Sequence, residues 1–231
     1  MKATKDERVC VILPALNEEE TIGRVIDEIP TREIEDRGYG VEVVVVDNNS
    51  TDRTKEIAEE KGARVIVEPI RGKGRAVRTA FDSVDGDYMF MLDADYTYPA
   101  SHIPELLDVL CEGCDVVMGS RLRGRREKGS IRPLNLVGNY LLVLMANVLY
   151  GTRISDLCTG CWGFSRRAVD GLKLDAVGFE LEANLFVEAA KRRYSIAELP
   201  IGYRRRPTPP KLKSLKSGVK IGRTLIKKRF R

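Results

Sequence analysis

Short apolar runs recur through the first half of the chain, at residues 9–13, 41–46, 63–67, 88–92 and 115–118. The run at 88–92 is unbroken rather than alternating, and the second, VEVVVV, is rich in β-branched residues. Runs of this length and kind are strands covered on both faces of a sheet. Between them lie helical stretches. One spans residues 19–29, where Glu18, Glu19 and Glu20 crowd the expected positive end of a helix dipole. A second begins at a cap supplied by Ser50 or Thr51 and is stopped by Gly62. Gly72-Lys73-Gly74-Arg75 leads into a third, and residues 103–111 form a fourth. Strand and helix alternating at short intervals specify an α/β fold, a mostly parallel central sheet with helices on both faces. Farther on, LNLVGNYLLVLMANVLY at residues 134–150 reads as an apolar helix with Asn135, Asn139 and Asn147 on one row. That stripe is too polar to span a membrane alone, which leaves a core helix or a surface helix touching lipid.

In open sheets of this kind, ligands sit beyond the carboxyl ends of the strands. Three of the runs end in polar clusters: Pro14 and Asn17, Asp47, and the pair Asp93 and Asp95. The two aspartates are two positions apart, so in extended chain both project to one side. Like charges so placed repel unless a cation or strong donor lies between them. A hard divalent ion suits carboxylate oxygens and commonly brings phosphates with it. Each cluster alone is equally a turn or a cap, but three on one edge favour a ligand site. Neither G-x-x-x-x-G-K-[ST] nor G-x-G-x-x-G follows the first run, which argues against P-loop and dinucleotide folds.

Composition changes the picture mainly through charge. The 231 residues suffice for one substantial core. The net charge of +5 is uneven, because no acidic residue follows Glu198 while 12 Lys and Arg do. An acidic body with a basic tail points to an anionic surface as partner. In that tail Leu215, Val219, Leu225, Ile226 and Phe230 would line one side of a helix, weakened by Gly218 and Gly222. No apolar run reaches bilayer-spanning length, and the charged start is unlike a signal peptide. The expectation is a cytoplasmic protein, peripheral on the cytosolic face of a membrane. The pairs Cys111/Cys114 and Cys158/Cys161 are too far apart for a zinc ribbon and lack supporting His, so ordinary thiols are expected. A nucleic-acid partner is not expected: Tyr203 and Phe230 are the tail's only aromatics, a poor stacking platform.

Taken in order, the motifs resemble the family-2 glycosyltransferases, which have the GT-A fold. VILPALNEEETI resembles their opening P-x-x-N-E signature, VVVVDNNSTDRT their D-[DN]-x-S-x-D-x-T signature, and LDAD their metal-binding D-x-D. GKGRAVRTAF resembles the helix between them. The resemblance covers residues 9–203 and implies a catalytic domain at 1–203, followed by a basic, membrane-surface tail at 204–231. It implies that Pro14, Leu16, Asn17, Glu18 and Asp47 border the nucleotide, with Lys73, Asp93, Ala94 and Asp95 completing the donor site. Asp93 and Asp95 would hold Mg²⁺ or Mn²⁺ against the diphosphate. Thr97 stands where many relatives carry a further metal ligand, and its part is left open.

Within that family, ISDLCTGCWGF resembles the D-x-x-[ST]-G-x-x-x-F segment of the dolichyl- and polyprenyl-phosphate sugar transferases, and GFELEANLFVEAAKRR and IAELPIGYRRR resemble the segments that follow. This subgroup implies inverting transfer of a hexose from a sugar nucleotide, GDP-mannose first, to dolichyl or polyprenyl phosphate. Asp95, Arg121 and Asp156 are its implied catalytic residues, and a small membrane subunit is an implied partner. Residues 121–132 hold six basic residues and one acid, either a solvated loop or a clamp in which Arg121, Arg123 and Arg132 grip the acceptor phosphate. UDP-glucose or UDP-N-acetylglucosamine as donor, and a soluble sugar as acceptor, are the alternatives. A sugar hydroxyl needs a general base, whereas a phosphate ionised near neutral pH attacks without losing a proton. Glu180 and Glu182 are read as solvated helix carboxylates, and His102 as structural.

Overall fold

The apolar runs become the centre of a seven-stranded sheet. The computed structural model describes residues 7–209 and 214–230. Its strands are β1 (Arg8–Ala15), β2 (Gly40–Asp47), β3 (Arg64–Val67), β4 (Tyr88–Leu92), β5 (Val116–Ser120), β6 (Cys161–Ser165) and β7 (Ile196–Pro200), in the order β3-β2-β1-β4-β6-β5-β7. Only β6 runs antiparallel to its neighbours. The helices are α1 (Ile22–Glu28), α2 (Thr31–Asp36), α3 (Thr54–Glu60), α4 (Lys73–Ser83), α5 (Ile103–Cys111), α6 (Pro133–Tyr150), α7 (Arg166–Gly171), α8 (Leu181–Lys191) and α9 (Ser214–Arg229).

Both faces of the sheet are covered, which is why its strands are continuous apolar runs. Along β1, Val9, Val11 and Leu13 enter a core with α1, α2, α3 and α5. Cys10 and Ile12 enter a second core with α4, α6, α7, α8 and α9. Each fully buried Val, Leu or Ile contributes about 1.5–3 kcal/mol relative to exposure. Pairing of Ala15 with Asp47, and of Ile12 with Met91, brings the ends of β1, β2 and β4 to one edge.

Several starts and stops differ from expectation. α1 begins at Ile22, after a turn in which the Glu18 carbonyl accepts from the Thr21 and Ile22 amides. The acidic cluster therefore precedes the helix instead of opening it. α3 begins at Thr54 with Arg53 at the cap position, and just ahead of it Asp52 Oδ1 accepts from the Thr54 amide at 3.0 Å. Ser50 and Thr51 are committed elsewhere, to Asn17. Gly62 stops α3 in the left-handed region, at φ 77°, as expected. By length and composition α6 is long and apolar enough to cross a membrane, which corrects the reading that no run reaches that length. One of its faces nevertheless packs on the core through Asn139, Leu142, Val143 and Ala146.

α9 lies against α6 and α8, with Ile221 and Leu225 inside the second core. Gly222 meets Leu142 and Met145 of α6, and the Tyr150 hydroxyl donates to the Leu225 carbonyl at 2.8 Å. The apolar side expected for this helix is thus divided: Leu225 is buried, while Val219, Ile226 and Phe230 face solvent. The Leu215 side chain lies outside the described residues.

Candidate active site

Four elements end at the same edge, and each delivers part of a polar cluster. After β1 the chain turns at Asn17, whose φ of 51° is left-handed, a conformation Asn tolerates. Its Oδ1 accepts from the Thr51 amide at 2.8 Å and its amide donates to Ser50 Oγ at 2.9 Å, so the turns after β1 and β2 are tied together. The Glu18 amide donates to Thr54 Oγ1 at 2.7 Å. Asp47, at the end of β2, is buried, and its Oδ1 has no hydrogen-bond partner among the described residues. A buried acceptor left open in this way is suited to a ligand's hydroxyl or amine. Pro14 and Leu16 are half-buried at the mouth of this turn.

The centre of the cluster is the loop after β4. Lys73, the first residue of α4, places its ammonium 2.5 Å from Asp93 Oδ1 and 2.5 Å from Glu182 Oε1 on α8. Burial disfavours its charged form, but Asp93 and Glu182 outweigh it and hold the lysine protonated well above its usual range. Asp95 behaves oppositely: burial and the charge of Asp93 push its pKa up, against Arg206 and Thr97. Thr97 is buried and orients Asp95, its hydroxyl donating to Oδ1 at 2.6 Å. Ala94 is fixed through its carbonyl, which accepts from Thr21 Oγ1 at 2.8 Å. Beside Asp93, Gly160 is a steric requirement, since a Cβ there would overlap the carboxylate.

This donor set fits a divalent cation. Two carboxylates on one side repel each other, and burial sharpens the repulsion that a hard cation relieves. Among the described residues no group of three or more His, Cys, Asp or Glu forms a cage, so phosphate or water oxygens would complete the shell. The cysteines do not compete: burial pushes the Cys158 and Cys161 thiols up to about 12.

A second group adjoins the first through Tyr98, whose hydroxyl accepts from the Gly160 amide at 2.6 Å and whose ring meets Tyr203. Here Arg121, just past β5, is buried and clamped by Asp156, with Nε to Oδ2 and Nη2 to Oδ1 both 2.7 Å. The Asn139 amide on α6 donates to Asp156 Oδ1 at 2.7 Å. Burial would raise the Asp156 pKa, but Arg121 and Asn139 lower it below the usual carboxylate range. With both oxygens so engaged, Asp156 fixes the Nε and Nη2 edge of Arg121. Arg123 is exposed and reaches the Glu198 carbonyl at 3.4 Å. Arg132 is exposed just ahead of α6, and among the described residues no side-chain hydrogen bond or ion pair joins it to Arg121 or Asp156.

Sequence reasoning missed two members of this site. Arg206, assigned to the tail, bonds Glu18 Oε1 at 2.6 Å and stands 3.3 Å from Asp95 Oδ2. Glu182, read as solvated, is buried against Lys73. His102 is structural, its Nε2 accepting from the Gly202 amide at 3.0 Å.

A mostly parallel sheet with paired aspartates at the end of its fourth strand defines a GT-A fold protein of the nucleotide-sugar transferase class. The chain belongs to glycosyl transferase family 2, whose model matches residues 10–172. It is 36% identical over 220 residues to a dolichyl-phosphate hexose transferase of Haloferax volcanii, covering 95% of this chain and 92% of that protein. It is 41% identical over 210 residues to the low-salt glycan biosynthesis hexosyltransferase Agl6 of the same organism, covering 90% of this chain but spanning only 50% of that relative's length. Among solved structures, glucosyl-3-phosphoglycerate synthase from Mycobacterium tuberculosis, in complex with Mn²⁺, UDP and glucosyl-3-phosphoglycerate, superposes with a TM-score of 0.79 at 28% identity, covering 97% of this chain and 80% of that one.

Proposed function

We propose that this chain transfers a hexose, with inversion, from a sugar nucleotide to dolichyl or polyprenyl phosphate at the cytosolic face of a membrane. The observation that carries the reading is the juxtaposition of the Asp93–Asp95 pair with a buried, preset arginine, Arg121. The first group suits a nucleoside diphosphate with a divalent cation, Mg²⁺ or Mn²⁺, and the second a phosphate acceptor. Asp93 and Asp95 would hold the cation, which when bound lowers the cost of negative charge on a departing diphosphate. Lys73 and Arg206 lie on either side of that pair and are placed to pair with phosphate oxygens. Pro14, Leu16, Asn17, Glu18 and Asp47 border the nucleoside. Arg121, held rigid by Asp156 and Asn139, presents the acceptor phosphate, with Arg123 and Arg132 outside it. A phosphate oxygen attacks the anomeric carbon, and the bond to the diphosphate breaks with its electron pair leaving on the nucleotide. The acceptor is already ionised, so no side chain has to remove a proton.

GDP-mannose is the donor to test first. UDP-glucose is the second reading, favoured by the likeness to a structure holding UDP and a glucosylated product. Purified protein with Mn²⁺, dolichyl phosphate and labelled GDP-mannose, UDP-glucose or UDP-N-acetylglucosamine in turn should carry label into the organic phase with one donor. Label that stays aqueous with all three, from protein that binds a sugar nucleotide, overturns the acceptor assignment.

A further inference from the structure

α6 has two apolar faces, and the core uses one. Opposite its buried residues, Leu134, Val137, Leu141, Leu144 and Val148 recur at spacings of three and four and form one exposed row. Leu141 is 62% exposed and Val148 74%. An apolar row open to solvent over about four turns exceeds what a core helix requires. α9 extends the same surface. On its side nearest α6, next to the contact of Gly222 with Leu142, lie Val219, 65% exposed, Ile226, and Phe230, 79% exposed. Beyond them on α9, Lys216, Arg223 and Lys227 form a basic edge that Val219 adjoins, while Lys220 pairs with Glu180 at 2.9 Å. Neither helix contains an Asp or Glu.

We propose that this composite face of α6 and α9 docks on an anionic lipid leaflet. The two apolar rows sit at the acyl boundary, and the α9 cations lie among the headgroup phosphates. Charge selects this occupant over a second copy of the chain. A self-paired interface would bring two basic edges together with no acid on either helix to neutralise them. The proposal deepens the transferase reading and rests on it in one respect. Asn139, which holds Asp156 against Arg121, is on the inner face of α6, so the lipid face and the phosphate grip share one helix.

The test is flotation of the full chain with vesicles of phosphatidylcholine, alone or mixed with phosphatidylglycerol, and with no dolichyl phosphate. Binding is expected on the anionic vesicles, weaker at high salt and on neutral ones. Leu141→Ser combined with Leu144→Ser should weaken it by at least about tenfold at unchanged melting temperature. Lys216→Glu with Lys227→Glu should do so on anionic vesicles, giving a second variant that leaves the apolar row intact. The Leu variant should keep full transfer to a short, water-soluble isoprenyl phosphate and lose transfer to dolichyl phosphate in vesicles. The proposal is overturned if the unmodified chain floats with neither vesicle, or if both variants bind as it does. It is equally overturned if light scattering finds a dimer that the Leu variant dissociates. Vesicle binding uses neither donor nor acceptor, so its failure leaves the transferase reading intact, and failure of transfer leaves the docking result intact.

Discussion

Gly160 has no side chain because the Asp93 carboxylate occupies the space a Cβ would need. Gly160→Ala should therefore displace Asp93 and weaken Mn²⁺ binding at least about tenfold, read by calorimetry on a chain whose circular dichroism is unchanged; unaltered affinity would remove Asp93 from the metal shell. Asp95→Asn should lower turnover at least about a hundredfold while leaving the fold intact, and activity surviving in chelator would sink the metal assignment. Asp156 makes the complementary case, a buried carboxylate whose value lies in being charged. Asp156→Ala leaves Arg121 buried without its partner, a cost of about 3–5 kcal/mol in urea denaturation. The pH dependence has a definite sign. Because Arg121 holds the folded pKa below its unfolded value of about 3.9, the stabilisation is fully present above that pH and is lost as pH falls through the folded value. The stability gap between the native chain and Asp156→Asn should thus be wide near neutrality and close below about pH 4.

At the scale of elements, the short stretch from Tyr203 to Arg206 ties the metal loop to the rest of the site. The Arg204 amide donates to the Thr97 carbonyl at 2.9 Å, and the Arg204 side chain ion-pairs with Glu28. Tyr96, next to Asp95, sits at φ 64°, a left-handed conformation that costs a non-Gly residue of order 1–3 kcal/mol. The guanidinium carbons of Arg24 and Arg204 lie 3.8 and 4.3 Å from its ring centroid and hold it there. Arg206→Ala should lower kcat/KM for the donor by about tenfold or more, the scale of one lost charge-assisted hydrogen bond, and an unchanged value would make its contacts with Glu18 and Asp95 incidental. The stretch was legible as part of the motif IAELPIGYRRR, but the contacts its arginines make were not. Strands were, because burial on both faces leaves unbroken apolar runs, and so were Asp47, Asp93 and Asp95, because they end such runs. Arg206 reaches Glu18 across 188 positions and Glu182 reaches Lys73 across 109, and no local pattern carries pairings that distant. Strand β6 was hidden by its short, glycine-interrupted sequence, and the start of α3 by three neighbouring residues, Ser50, Thr51 and Asp52, with equal capping chemistry.

At the scale of the whole molecule, the charge imbalance was visible but its use was not. A basic run after an acidic body suggests a detachable tail. In the fold, Arg204 and Arg206 face the site, Ile221 and Leu225 complete a core, and Lys228 pairs with Glu188 at 3.2 Å and Asp175 at 2.7 Å. Sequence cannot separate these inward cations from the outward ones: Arg204 and Arg206 sit in the same basic segment, and Lys228 differs from its lysine neighbours only by its position around α9. The two roles predict different outcomes for truncation. If the segment after Tyr203 served only the membrane, its deletion would leave melting temperature and transfer to a soluble acceptor unchanged. Because it also closes the core over α6 and α8, deletion should expose apolar surface there. Burial of Ile221 and Leu225 alone is worth about 3–6 kcal/mol at 1.5–3 kcal/mol per side chain, enough to lower a domain's melting temperature by several degrees. Loss of transfer to the soluble acceptor should accompany it, through Arg206. A truncated chain that melts as the full one does, binds a sugar nucleotide equally well and loses only vesicle binding would return the segment to a purely peripheral role.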